Sequence, residues 1–155
     1  MKHKWTDIIL WIIGTELVGA FSSLIAGGNF SAFYKALEKP PFSPPGWLFP
    51  VAWGILYALM GISAYLVHKK NNLKSKKALC LYYAQLIANF LWTPVFFGLR
   101  SFPGASIIVL VMLAIITAMI LAFYKIDKKA AYLNIPYLLW TVYAAYLTIG
   151  VCILQ

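Results

Sequence analysis

Five runs of apolar residues dominate this chain, at 8–26, 47–67, 78–99, 105–124 and 131–154. A helix crosses the hydrocarbon core of a bilayer with about 20 apolar residues, and each run meets that length. Lipid offers no partner to a free backbone N–H or C=O, so uninterrupted runs of this length have to be helices. Composition closes off the alternative. The 155 residues are 63% hydrophobic and 11% charged, against about 45–50% apolar and about 25% charged in ordinary soluble domains. A globule of this size leaves roughly a third of its surface exposed, which four acidic and thirteen basic residues cannot cover. A soluble domain and a disordered chain are both excluded. The sequence predicts an all-α membrane protein, a bundle of five transmembrane helices forming a single domain over 1–155, with 27–46 as a long first loop.

The formal net charge of +9 invites a nucleic-acid reading, but that needs a basic patch on a folded face. The basic residues here are short clusters between apolar runs, so no nucleic-acid partner is expected. Ten of the thirteen Lys and Arg residues fall in the N-terminus, the second loop and the fourth loop. The positive-inside rule then puts the N-terminus in the cytoplasm, with the C-terminus and the long first loop outside a cell membrane. Met1-Lys2-His3-Lys4 before an apolar run has the form of a signal peptide. Asp7 and Glu16 interrupt that run, however, and its length suits a retained span. Cys80 and Cys152 fall at opposite faces of a core about 30 Å thick, too far apart for a disulfide. No internal repeat is visible, and five spans cannot make two equal halves, unlike the repeats common in secondary transporters.

Polar side chains at membrane depth are costly unless they face protein or a cavity. Span three carries Tyr82, Gln85, Asn89, Trp92 and Phe96 at steps of three and four, which places them on one helical face. Two readings stay open: the amides are hydrogen-bonding glue between helices, or they line a ligand site. Span two sets Trp53 and Tyr57 one turn apart, beyond Trp47, which suits the interfacial aromatic belt. Span five repeats the pattern with Tyr137, Trp140, Ala144 and Leu147, Ala144 leaving room beside the Trp140 ring. Such plates with polar handles, two amides and a small-residue gap describe a pocket for a flat, largely apolar ligand. Packed aromatics would give the same pattern.

Pro50, Pro94 and Pro136 interrupt spans two, three and five, each predicting a kink or local unwinding. Gly19, Ser23 and Gly27 on span one, and Ala114, Ala118 and Ala122 on span four, form small-residue ridges suited to close packing within the bundle or in a homodimer. His3 and His68 lie in flanks, so no membrane-depth histidine is available to ligate haem iron. No Cys/His/carboxylate cluster suits zinc, and no phosphate loop or nucleophile–base pair is evident. No metal and no required cofactor are expected. Glu16, the one carboxylate at membrane depth, reads as neutral or paired within the bundle.

Three ordered motifs carry a family resemblance. They are Lys39-Pro40-Pro41-Phe42-Ser43-Pro44-Pro45-Gly46-Trp47 leading into Pro50-Val51-Ala52-Trp53-Gly54-Ile55-Leu56-Tyr57; Gln85 and Asn89 with Trp92-Thr93-Pro94-Val95-Phe96-Phe97-Gly98; and Pro136-Tyr137-Leu138 with Trp140. In these the chain resembles, nearly end to end, the translocator protein / tryptophan-rich sensory protein family, formerly the peripheral-type benzodiazepine receptors, and its six tryptophans fit a bacterial member. The resemblance implies a five-helix bundle, commonly a homodimer, with a cavity capped by the first loop. It implies porphyrins such as protoporphyrin IX, sterols such as cholesterol, and synthetic isoquinoline carboxamide and benzodiazepine drugs as ligands. Matching positions put Trp53, Tyr57, Asn89, Trp92, Trp140 and Ala144 in or beside the cavity, Tyr34 and Pro44 in its lid, and Ser22 facing it from span one. The amides would bind a ligand carbonyl and the tryptophans would stack on its rings. The family's cholesterol motif needs a basic residue shortly after its span-five tyrosine, and residues 148–155 contain none. That departure argues against a sterol and for a tetrapyrrole.

Three functions follow as expectations. The first is a membrane receptor or sensor binding porphyrin. The second is light-dependent oxidative breakdown of protoporphyrin IX, with Trp53 and Trp140 as redox partners of the excited ring and the porphyrin as substrate. The third is passive passage of a porphyrin or sterol across the membrane.

Overall fold

The computed structural model describes residues 2–155, and they are helical almost throughout. Seven α-helices follow in order: α1 (Lys2–Ile25), α2 (Phe30–Ala36), α3 (Leu48–His68), α4 (Leu73–Thr93), α5 (Phe102–Tyr124), α6 (Lys128–Leu133) and α7 (Ile135–Leu154). Five segments are long and apolar enough to cross a membrane: α1, α3, α4 with the turn that follows it, α5, and α6 with α7. The all-α, five-span membrane bundle expected from the apolar runs is the architecture observed.

Helix ends run beyond the apolar runs where local chemistry favours it. α4 starts at Leu73, inside a basic stretch, because Asn72 and Ser75 form a reciprocal cap. The Asn72 Oδ1 accepts from the Ser75 N–H at 2.8 Å and the Ser75 Oγ accepts from the Asn72 N–H at 2.9 Å, which fixes the first turn. α1 ends at Ile25, and the chain turns away through Gly27 and Gly28, both with positive φ (95° and 74°), a conformation glycine adopts without steric cost. The long first loop contains the short helix α2, so it is not an extended tether.

The three prolines act differently. Pro50 sits in the first turn of α3, where its missing N–H breaks no bond. Pro94 opens a π-helical turn, Pro94–Gly98, that ends the third span. Pro136 starts α7 after a break at Asn134, which splits the fifth span into α6 and α7. That break is pinned from α3: Asn134 Nδ2 donates to Ser63 Oγ at 2.6 Å, and both side chains bond the Ala130 carbonyl.

Side chains of α3, α4, α5 and α7 build the core around Met60, Ile116, Met119, Phe123 and Tyr137, all fully buried. α1 lies at the periphery, and its two buried residues among those described are polar, Thr15 and Ser22. It approaches α3 closely at Gly61, where an added Cβ would lie 2.7 Å from the Ile12 Cα. The two small-residue ridges face different surroundings, and on span one Gly19 lies against the Tyr57 ring of α3. Ala114 and Ala118 point out of the bundle, whereas Gly19 and Ser23 turn towards a cavity.

Candidate functional site

At the end of the bundle where α1 stops and α3 starts, the proline-rich segment 38–46 folds back over the helices. Prolines supply carbonyls but no N–H groups, so side chains do most of the pairing in and around the segment. Within it, the Ser43 hydroxyl donates to the Pro40 carbonyl at 2.7 Å. The Tyr34 hydroxyl donates to the Pro44 carbonyl at 2.7 Å, and the Lys39 ammonium donates to the carbonyls of Tyr34 and Leu37 at 2.8 and 2.9 Å. From α7, the Tyr143 and Tyr146 hydroxyls donate to the carbonyls of Phe42 and Pro41. Burial pushes the Tyr34 phenol above its ordinary range, against a lowering contact from Ser43, so it remains a donor at neutral pH. These bonds make the first loop, 27–46, a lid fastened to α7 through Pro41 and Phe42.

Beneath the lid is a cavity of about 650 Å³ bounded by α1, α2, the start of α3 and the end of α4. Tyr34, Trp53, Tyr57 and Trp92, each expected at the site, line it together. The Trp53 ring lies 5.5 Å from the Tyr57 ring and 6.5 Å, edge-on, from the Trp140 ring. Trp92 stacks on Phe96 at 5.0 Å with the rings 17° apart. The indole N–H groups of Trp92 and Trp140 are buried without an acceptor.

Other expected residues stand off the cavity wall. Trp140 is behind Trp53, in edge contact with it and with Phe49. Ala144 is buried with Val109 and Ala145 in a small cluster that Trp92 packs against. Pro44 serves as a carbonyl acceptor in the lid. Ser22 is directed to α4, its Oγ donating to the Phe90 carbonyl at 2.7 Å; its neighbour Ser23 lines the cavity. Asn89 lies behind Tyr57, its Oδ1 accepting from the Tyr57 hydroxyl at 2.8 Å and its Nδ2 donating to the Tyr137 oxygen at 3.0 Å. The Tyr137 hydroxyl in turn donates to Gln85 Oε1 at 2.6 Å. Both span-three amides therefore hold α3, α4 and α7 together. Of the two readings of that stripe, interhelical bonding describes the amides and cavity lining describes Trp92.

Reading the residues in order missed Glu16, Gly19, Ser23 and Thr93 on the cavity wall. Glu16, Gly19 and Ser23 follow helical spacing along one face of α1, a signal available in the sequence but readable equally as a packing ridge. Glu16 pairs with no cation among the described residues. No cluster of three or more His, Cys, Asp or Glu side chains suited to a metal occurs among the described residues.

Residues 11–154 match the sequence model of the TspO/MBR family. A tryptophan-rich sensory protein from Cereibacter sphaeroides is 44% identical over 70% of this chain and 67% of its own. A tryptophan-rich protein from Archaeoglobus fulgidus is 31% identical over 96% of each chain. The translocator protein of Homo sapiens is 32% identical over 99% of this chain and 91% of its own.

Proposed function

Because the chain belongs to the TspO/MBR family, we propose that it is a multi-pass membrane receptor or sensor that takes a porphyrin, protoporphyrin IX or a related tetrapyrrole, into the aromatic cavity beneath the lid. One observation carries this reading: Trp53 and Trp92, on different helices, line one space of about 650 Å³, within the range of roughly 300–1,000 Å³ of small-molecule sites. A flat conjugated ring can stack on such plates. The same space suits synthetic isoquinoline carboxamide and benzodiazepine ligands, whereas a sterol lacks the flat π-face these rings prefer. In this reading the lysine-rich end is cytoplasmic and the lid faces outward, and the protein works as a homodimer.

The test is titration of the purified protein with protoporphyrin IX. Trp53→Phe is expected to weaken binding about two- to tenfold, the worth of one aromatic contact. Trp5→Phe, at the far end of α1, is expected to change nothing. Full affinity in both Trp53→Phe and Trp140→Phe variants would overturn the proposed pocket.

The edge contact between Trp53 and Trp140 favours a second reading, light-dependent oxidative breakdown of the bound porphyrin. Dioxygen would be the oxidant. Trp53 gives an electron to the excited ring, and the ring passes it to dioxygen. The resulting superoxide adds to the ring, and that adduct returns one electron to the hole shared by Trp53 and Trp140. The ring ends oxidised and the tryptophans unchanged. Illuminating the protein with protoporphyrin IX should then bleach the ring more slowly in the Trp53→Phe/Trp140→Phe double variant. An identical decay leaves binding alone.

A further inference from the structure

The end of the bundle away from the lid holds a second cavity, of about 590 Å³, walled by the first turns of α1, the end of α3 and the turn between α5 and α6. Lys4, Lys69, Lys70, Lys128 and Lys129 surround it, with Asp127 as its one carboxylate. That carboxylate is already engaged. Its Oδ1 accepts the N–H groups of Lys129 and Ala130 at 2.9 and 3.2 Å, and its Oδ2 lies 3.7 Å from the Lys70 ammonium. The other four lysines pair with no carboxylate among the described residues. Below this rim the wall turns apolar, with Trp5, Ile8 and Leu66 facing the space. The lysines lie where the spans begin or end, at His3, His68, Tyr124 and Lys128, which is the level of lipid headgroups.

We propose that this cavity binds the headgroup of an anionic phospholipid from the leaflet at the lysine-rich end, its phosphate held by Lys4, Lys69 and Lys129 and its upper acyl chain lying along Trp5 and Ile8. An excess of cations over an apolar floor is complementary to a molecule with a negative head and a hydrocarbon tail. A free phosphate ion would use the rim and leave the floor bare. Basic pockets between spanning helices hold acidic headgroups in this manner. The site shares no lining residue with the cavity beneath the lid, so it stands or falls independently of porphyrin binding.

The experiment reconstitutes the full chain in phosphatidylcholine nanodiscs containing a minor fraction of phosphatidylglycerol and measures the lipid retained on the protein by native mass spectrometry. Phosphatidylglycerol is expected to be enriched over phosphatidylcholine, and the enrichment to fall about fivefold for each lysine removed in a Lys4→Gln/Lys69→Gln/Lys129→Gln variant. A control variant, Lys74→Gln/Lys76→Gln/Lys77→Gln, loses the same charge at the same end of the bundle but outside the cavity, and is expected to retain the enrichment. The single Lys129→Gln variant is expected to lose about fivefold on its own. No enrichment in the unaltered protein, or equal loss in both triple variants, overturns the proposal. So does inorganic phosphate displacing the lipid at equal concentration.

Discussion

The Tyr57 hydroxyl donates to Asn89 Oδ1 at 2.8 Å, and through this bond the cavity wall is joined to the buried centre of the bundle. Tyr57 lines the cavity; Asn89 is 2% exposed and passes the connection to Tyr137 and Gln85. The two tyrosines differ in what they leave behind when replaced. Tyr57→Phe strands one acceptor, the Asn89 oxygen. Tyr137→Phe strands a donor on Asn89 and an acceptor on Gln85 together. Each orphaned group costs about 1–3 kcal/mol at the most exacting sites, and interhelical bonds in membranes average nearer 0.6 kcal/mol. Thermal unfolding in detergent should therefore rank Tyr137→Phe as about twice as destabilising as Tyr57→Phe. Equal losses would mean that the network does not run through Tyr137.

Gly61 and Gly54 share α3 but not the same surroundings. A Cβ on Gly61 would lie 2.7 Å from the Ile12 Cα and 2.9 Å from the Ile12 nitrogen and the Trp11 carbonyl oxygen. Those are backbone atoms, so α1 as a whole must move. Gly61→Ala is expected to destabilise by about 1–3 kcal/mol, the usual cost of overpacking. Gly54 meets nothing within 4 Å, and Gly54→Ala should be neutral or stabilising by up to about 1 kcal/mol through helix propensity. Urea or thermal unfolding of the two variants side by side checks the contrast.

The spans were legible because lipid imposes one rule everywhere along the chain, and apolar length alone satisfies it. The Tyr82 to Phe96 face was legible for a similar reason, since helical spacing is local. What Asn89 and Gln85 do was not legible. Their partners Tyr57 and Tyr137 lie 32 and 52 residues away in sequence, and nothing local sets how α3 and α7 rotate towards α4. The same limit explains Ser22 and Ser23. Adjacent serines lie about 100° apart around a helix, so a small rotation of α1 decides which one meets α4 and which one the cavity. Glu16, Gly19 and Ser23 read equally well as a ridge or a wall until the neighbouring helix is in place.

The lid should loosen when its fastenings on α7 are removed. Tyr143→Phe and Tyr146→Phe together delete the bonds to Phe42 and Pro41 without removing either ring. Backbone amide exchange in 38–46 is expected to accelerate several-fold, in line with about 0.5–1.5 kcal/mol per bond, while exchange in α5 stays unchanged. Gly150→Ala should act in the same direction by a different route, because its Cβ would press on the Pro40 ring. Unaltered exchange in both variants would show that the Tyr34 and Lys39 contacts hold the lid unaided.

α1 is tied to α4 by hydroxyl groups as well as by the edge contact of Trp11 with Tyr82. Thr15 Oγ1 gives its one proton to the Trp11 carbonyl at 2.9 Å, so in the contact with Tyr82 it is the tyrosine hydroxyl that donates and the threonine that accepts. Ser22, two turns further along, donates to the Phe90 carbonyl. Removing one side of the Thr15–Tyr82 bond leaves a buried phenol with no acceptor; removing both sides leaves two apolar surfaces in contact. A cycle of Thr15→Val, Tyr82→Phe and their double variant should therefore be non-additive, because a missing pair costs less than a stranded partner. Thr15→Val alone is expected to lose about 1–2 kcal/mol, and adding Tyr82→Phe to restore roughly half of it. Ser22→Ala, about 10 Å away along the helix axis, should add its own smaller loss to either background without coupling. If the two changes at Thr15 and Tyr82 simply summed, the hydroxyl contact between them would carry no coupling energy.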